Sequence, residues 1–486
     1  MNWYKEAVFY HIYPLGLTGA AKTNPYLESD HSLAENNEHS IAAASAGATN
    51  CNLTPNNTSA CTTDRKLTPN NTSAGTTDHR LMNLLPWILH LKDLGVNALY
   101  IGPLFESGSH GYDTADYRMV DRRLGTNEDL KNFVKECHAA GIRVVLDAVF
   151  NHTGRDFFAF RDLREKREQS AYRDWYCNVN FWNNNEYNDG FSYDNWGGHN
   201  LLAKLNVWNP AVREYLFDTV RFWVNEFDID GLRLDAADVL DFGFMKHLRG
   251  VANAIKPDFW LMGEVIHGEY QRWLNSEMLH SVTDYAMHKA LWSGHNDHNY
   301  FEIAHTLNRS MQNGIDPRSL YRFVDNHDVE RIFTKLQNKA HFEPVHILLF
   351  ALPGIPSLYY GSEFAVEGVK ERGSDDSLRP CLNLCELLRE KKEPYALIKK
   401  LAHLYHEEKD LASGDYEQLH LTTRQYVFRR GRVIVAVNND EQESEMWIRC
   451  ADGIYHGALH GGEVTARDGG MTVRLPAGSG EIFCIN

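Results

Sequence analysis

With 486 residues the chain has room for more than one domain and for large buried cores. A hydrophobic fraction of 43% beside 23% charged residues describes an ordinary soluble globular protein. The formal net charge of -16 argues against nucleic acid or an anionic membrane surface as partner, and a neutral polar ligand fits better.

Aromatic residues make up 12% of the chain; most of these rings are expected in the core, and the remainder suit flat-faced ligands such as sugars or bases. The cysteines, Cys51, Cys61, Cys137, Cys177, Cys381, Cys385, Cys450 and Cys484, show no repeated pairing and no zinc-type doublet. Free thiols in a reducing compartment are expected. The opening Met-Asn-Trp-Tyr-Lys-Glu-Ala has no basic-then-apolar leader, and no apolar run reaches membrane-spanning length, so a cytoplasmic protein is expected.

Val8–Tyr13 reads as a first strand. From about residue 20 to 80 the chain turns rich in Asn, Thr, Ser and Ala, and LTPNNTSACTTDRK is followed by LTPNNTSAGTTDHR. Two copies are too few for a solenoid, so the stretch reads as an insertion, loosely ordered surface in preference to a structured lid. Regular structure resumes with LLPWILHLKDLG, a helix with a Gly stop, then a strand at Ala98–Gly102 and a helix at Asn127–Ala140. Arg143–Phe150 is a strand; a long helix after Pro210 leads into Gly231–Asp235. Helix over Phe244–Ile255 and strand over Phe259–Glu264 follow, then a short strand Val282–Tyr285 and helix near Phe301–Met311. Strand Tyr321–Asp325, helix Val345–Leu352, strand Ser357–Tyr360 and helix Pro394–Glu407 complete the series. Eight strands, most followed by a helix, demand a parallel sheet and predict a closed (β/α)8 TIM barrel over 1–150 and 210–408. An aromatic, Asn- and Gly-rich subdomain over 151–209 emerges after the third strand, on the face where barrel sites lie. Beyond about 409, short alternating runs such as QYVFRR and RVIVAVNN predict a C-terminal antiparallel β domain over 409–486.

In such a barrel, catalytic groups stand at the C-terminal ends of different strands. Those positions hold His110, Tyr112 and Asp113 after strand two, and Asp147, Asn151 and His152 after strand three. Arg233 and Asp235 follow strand four, Glu264 strand five, and Asn326, His327 and Asp328 strand seven. Arg233 and Asp235, two apart on an extended chain, point to one side. The guanidinium is expected to keep Asp235 ionised, as a nucleophile needs, or else to form an ordinary structural ion pair. Glu264, at a strand end after Gly263, is placed to keep its proton and act as general acid.

The segments DAVFNH (147–152), GLRLDAADV (231–239), GEV (263–265) and FVDNHD (323–328) jointly resemble the α-amylase family of glycoside hydrolases, over nearly the whole barrel outside the insertion. The resemblance implies Asp235 as nucleophile, Glu264 as acid/base and Asp328 as transition-state stabiliser. It implies that Tyr112, Arg233, His152 and His327 line the −1 sugar site, with Tyr112 as stacking platform. Asp113 falls in the same set, and Asp376 and Arg379, in DDSLRP, look like further donor-side contacts. AKLN (203–206) and His267 resemble the cyclomaltodextrinase and neopullulanase branch, whereas Ile266 stands where that branch usually carries Trp. The N-terminal β domain through which those enzymes usually dimerise is not seen, so their oligomeric state is not carried over. Val239 takes the place of a calcium-linked His of other members; no cofactor is expected to be required, and a structural calcium is left open.

The function expected is therefore hydrolysis of α-1,4-glucosidic bonds in short maltodextrins, and in cyclic ones too, through a covalent glycosyl-enzyme. A transglycosylase using the same intermediate is the nearest rival. A non-catalytic glycan-binding relative is a more distant one, because such relatives usually lose carboxylates that this chain keeps.

Overall fold

The computed structural model describes residues 2–27 and 78–485, so most of the expected 20–80 insertion, with its tandem repeat, lies outside the described residues. Eight parallel strands close into a barrel in sequence order: β1 (Phe9–Ile12), β2 (Ala98–Ile101), β3 (Arg143–Ala148), β4 (Gly231–Leu234), β5 (Trp260–Gly263), β6 (Ser281–Thr283), β7 (Leu320–Phe323) and β8 (Ile355–Tyr359), with β8 returning to β1. The barrel is packed, not a pore: Phe9, Tyr100, Trp260, Met262, Tyr321 and Phe323 fill its lower interior. Trp260 is wholly buried and meets Phe9 at 4.8 Å and Tyr4 at 5.7 Å between ring centres, so the N-terminal turn Trp3–Glu6 plugs the bottom. Burying each large apolar side chain of this kind contributes about 1.5–3 kcal/mol.

The outer helices carry the local signals expected of them. Among them α1 (Leu85–Leu94) stops at Gly95, with φ of 93°, and α2 (Asn127–Ala139) opens on a capping box of Thr126 and Asp129. α3 (Phe158–Lys166) belongs to the segment after β3; α4 (Pro210–Phe227) starts on an Asn209 cap with Pro210 at its first position, and α5 (Phe242–Ile255) on an Asp241 cap. α6 (Tyr285–Asn296) corrects one expectation: Tyr285 opens a helix capped by Asp284 and does not end a strand. α7 (Tyr300–Gln312), α8 (Phe342–Ala351) and α9 (Lys392–Glu407) complete the ring.

After β3, a small antiparallel sheet of His152–Thr153, Asn195–Trp196 and His199–Lys204 rises over the barrel mouth. Arg155, nearly fully buried, braces this subdomain by a two-pronged contact to Asp189 at 2.7 and 2.8 Å. The C-terminal region is antiparallel: β9 (Tyr416–Leu421), β10 (Gln425–Arg430), β11 (Val433–Asn438), β12 (Ser444–Arg449), β13 (Gly453–Gly457), β14 (Glu463–Ala466), β15 (Gly470–Leu475) and β16 (Ser479–Ile485). They form a six-stranded sheet faced by the pair β12 and β15, and the two share a core that includes Val427, Ile434, Met446, Ile448 and Val473. The described roots of the insertion are tied down beside the mouth. Arg123 donates to the carbonyls of Ala21 and Lys22, and Asn24 donates to Glu106 at 3.0 Å.

Candidate active site

Strand register assembles the site. Asp147 on β3 and Met262 on β5 both pair with Arg233 on β4, and Leu234 pairs with Gly263. One step further along each strand, Asp235 and Glu264 therefore emerge side by side at the barrel mouth. Both are buried, each 7% exposed. Gly263 is required there, since a Cβ would lie 2.4 Å from Leu279 and 2.9 Å from the Ala237 methyl. The chain then leaves β4 through Ala236 in the left-handed region, φ 46°, a strained conformation for a residue with a side chain. That bend aims the Ala236 N–H at Glu264 Oε2, 3.0 Å away.

One guanidinium organises three carboxylates. Arg233 Nη1 donates to Asp147 Oδ1 at 2.8 Å and to Asp235 Oδ1 at 2.7 Å, while Nη2 lies 2.8 Å from Glu264 Oε2. Burial opposes its charge, but Asp147 and Glu264 outweigh it and hold Arg233 firmly protonated. Burial pushes the Asp235 carboxyl well above the usual range; Arg233 opposes this and the Glu264 charge adds to it. Burial raises Glu264 as well, against Arg233, with Asp328 adding to the rise. Arg233 favours ionised Asp235, as expected, but the two carboxyls are also desolvated together and repel one another, so they hold a proton between them to higher pH than a free carboxyl would. Such a pair can offer one acid and one base at the same reaction centre.

The opposite side is built from β7 and the loop after β8. Arg379 Nη2 donates to Asp328 Oδ1 and to Asp375 Oδ2, both at 2.9 Å, and Nε donates to the His327 carbonyl at 3.0 Å. The Asp328 side chain keeps 35% exposure toward the cleft. Asn326 shapes the turn, accepting the N–H of Asp328 at 2.8 Å and of Val329 at 3.1 Å. His327 is buried, and burial drives its ring well below its ordinary value, so it is neutral; Nε2 sits 3.0 Å from Asp328 Oδ2 and against the Tyr112 hydroxyl. Tyr112 also donates to Asp147 at 3.1 Å, which fixes its ring at the mouth. His152 is buried and neutral, pushed down to about 3 by burial, and its Nε2 has no partner among the described residues. Asp113 is buried and accepts from Ser109 at 2.9 Å, with His110 beside it.

Two expected positions fall elsewhere. Asp376 is exposed and pairs with Lys22; its neighbour Asp375 takes the place on Arg379, because the turn at Asp376–Leu378 points consecutive side chains apart. His267 is exposed on the loop after β5, with no polar contact among the described residues. Sequence reading missed Tyr285, whose hydroxyl is 3.3 Å from Glu264 Oε1, and His11 and Tyr100, which stack at 4.2 Å. Tyr100 donates to Asp147 at 2.8 Å, and His11 meets His327 edge-on at 5.0 Å. The alternation of β1 and β2 places both residues inward, and that was the available signal. A small cavity at the carboxylates is lined in part by His11, Tyr100, Met262, Glu264, Phe323 and His327. Among the described residues no cluster of His, Cys, Asp and Glu is arranged to hold a metal, no helix is long and apolar enough to cross a membrane, and Cys137, Cys177, Cys450 and Cys484 are free thiols.

Comparison with known proteins agrees with this geometry. Residues 81–412 match the model for the α-amylase catalytic domain. A cyclomaltodextrinase of Thermoanaerobacter pseudethanolicus is 32% identical over 394 residues, covering 77% of this chain and 66% of the relative. An intracellular maltogenic amylase of Bacillus subtilis is 31% identical over 338 residues, 68% of this chain and 56% of that one. The chain thus spans about two thirds or less of the length of these curated relatives. Among solved structures, Ttha1563 from Thermus thermophilus superposes with a TM-score of 0.80 at 27% identity, over the whole of both chains. A (β/α)8 barrel with carboxylates converging from β4, β5 and β7, matched over most of its length by the family model, makes this chain a member of the α-amylase family of glycoside hydrolases.

Proposed function

We propose that the protein hydrolyses α-1,4-glucosidic bonds of maltooligosaccharides, cyclic ones included, with retention of anomeric configuration. The observation that carries this is the shared Arg233 bridge between Asp235 and Glu264. Neighbouring nitrogens of one guanidinium are a short spacer, which favours the ~5–5.5 Å carboxyl separation of retaining glycosidases over the wider gap of inverting ones. Asp235 attacks the anomeric carbon from below as Glu264 gives its proton to the departing glycosidic oxygen. Glu264, now ionised, then takes a proton from water as that water releases the sugar from Asp235. Asp328, held by Arg379, and neutral His327 and His152 bind hydroxyls more tightly as the ring flattens, so that binding energy appears in the transition state. Tyr112 offers its ring to the sugar face.

No step calls for a metal or cofactor, because carboxylates move every proton. The relatives named cyclomaltodextrinase and intracellular maltogenic amylase support the substrate class and a cytoplasmic site of action. The test follows maltotriose and β-cyclodextrin hydrolysis by proton NMR. Products should appear first as the α-anomer; β-anomer appearing first, or no cleavage of either substrate, overturns the proposal. Chains longer than maltotriose as the main product would favour transfer over hydrolysis.

A further inference from the structure

The subdomain after β3 ends in a hairpin that the reaction steps leave unused. His152 pairs with Lys204, and the same strand pairs with Asn195–Trp196, so one small sheet runs from a site histidine to the hairpin tip. Gly197 and Gly198 make the turn with φ of 63° and 86°, the left-handed pair that a two-residue hairpin needs. Trp196 and His199 stand opposite each other on it. Below the tip the hairpin is fastened: Asn195 donates to Asn200 Oδ1 at 2.7 Å, and the Tyr193 hydroxyl donates to the Asn200 carbonyl at 2.6 Å. A loop already anchored in this way loses little freedom when a ligand arrives.

The Trp196 ring lies 6.1 Å from the His152 ring, centre to centre, and is 39% exposed. The indole is thus a tilted ring neighbour of a histidine whose Nε2 has no partner among the described residues, and part of it is exposed to solvent. A pyranose ring has an apolar C–H face, and an indole placed beside the reacting sugar can remove that face from water.

We infer that Trp196 is a specificity-determining residue: its indole takes the face of the sugar adjoining the one seated at Tyr112 and His152, so that the site discriminates α-glucans by length. This rests on the substrate class proposed above. Maltose to maltopentaose is titrated calorimetrically into D235N, D235N/W196A and D235N/W196F, and inhibition by the one-ring mimic 1-deoxynojirimycin is measured for wild type and W196A. W196A is expected to weaken maltopentaose about tenfold, equivalent to ~1.4 kcal/mol. The Phe variant should keep most of the affinity, and the one-ring inhibitor should be unaffected. Equal maltopentaose affinity with and without Trp196 overturns the inference. Equal weakening of the one-ring inhibitor also overturns it, because the indole would then only shield His152. If D235N itself binds no maltooligosaccharide, the substrate class falls, and the inference falls with it.

Discussion

Replacing Glu264 by Gln isolates the proton that the mechanism places on this residue. The Gln carbonyl oxygen can still accept from the Ala236 N–H, now 3.0 Å from Glu264 Oε2, and can still face Arg233, so the site keeps its shape. What is lost is the transferable proton, which corresponds to about 10²–10⁴ in kcat, or roughly 3–5 kcal/mol of barrier. The pH dependence has a definite sign. Turnover needs Asp235 ionised and Glu264 protonated, and burial raises both groups. The wild-type bell therefore sits above the range of exposed carboxyls, with Asp235 ionisation on its acid limb and Glu264 deprotonation on its alkaline limb. In E264Q the alkaline limb disappears. The acid limb should stay near its wild-type position, because Glu264 is still protonated and uncharged where Asp235 ionises, and burial, the first cause of the Asp235 rise, is unchanged. The assay is kcat/KM against pH for maltotriose and for an aryl α-glucoside whose phenol leaves without a proton. The aryl substrate should recover glycosylation, and added azide should recover the release step. A variant that keeps more than about a tenth of maltotriose turnover, with the alkaline limb intact, refutes the assignment.

Asp235→Asn should abolish turnover yet raise the melting temperature. Because the folded-state value of Asp235 lies above the unfolded one, its ionisation subtracts stability above the unfolded value and nothing below it. The gain should therefore grow as pH rises above the ordinary aspartate value of about 4, at roughly 2–4 °C for each kcal/mol relieved or less in so large a chain. Asp375→Ala, which frees Arg379 from one partner, should lower kcat/KM on maltotriose by about tenfold, whereas Asp376→Ala at the exposed Lys22 pair should stay near wild type. Gly263→Ala should cost about 1–3 kcal/mol in denaturant melts, since its Cβ meets Ala237 at 2.9 Å. Exhaustive treatment with EDTA should leave both rate and melting temperature unchanged; a fall in either that calcium restores would reveal a structural ion.

The barrel was legible because its signals are local and repetitive. Buried parallel strands read as apolar runs such as VVLDAV, amphipathic helices alternate with them, and caps such as Thr126 and Gly95 mark the ends. The main carboxylates were legible too, since each ends such a strand. Side-chain direction beyond a strand end was not. Asp375 and Asp376 are equivalent in sequence, and only the turn that carries them decides which one reaches Arg379. His11 and Tyr100 look like ordinary inward barrel residues until closure brings β1 beside β2 and stacks them under His327. The charge state of Asp235 likewise depends on assembly. Two residues' spacing puts Arg233 beside it, but the register of β4 with β5 delivers the second carboxylate, and closure of the barrel removes the water that would have screened the pair. Sequence alone thus determined which chemical groups stand at the strand ends, because periodicity is a property of neighbours along the chain. Tertiary structure decided how those groups share one guanidinium and one proton, because distance and desolvation arise only when remote segments meet.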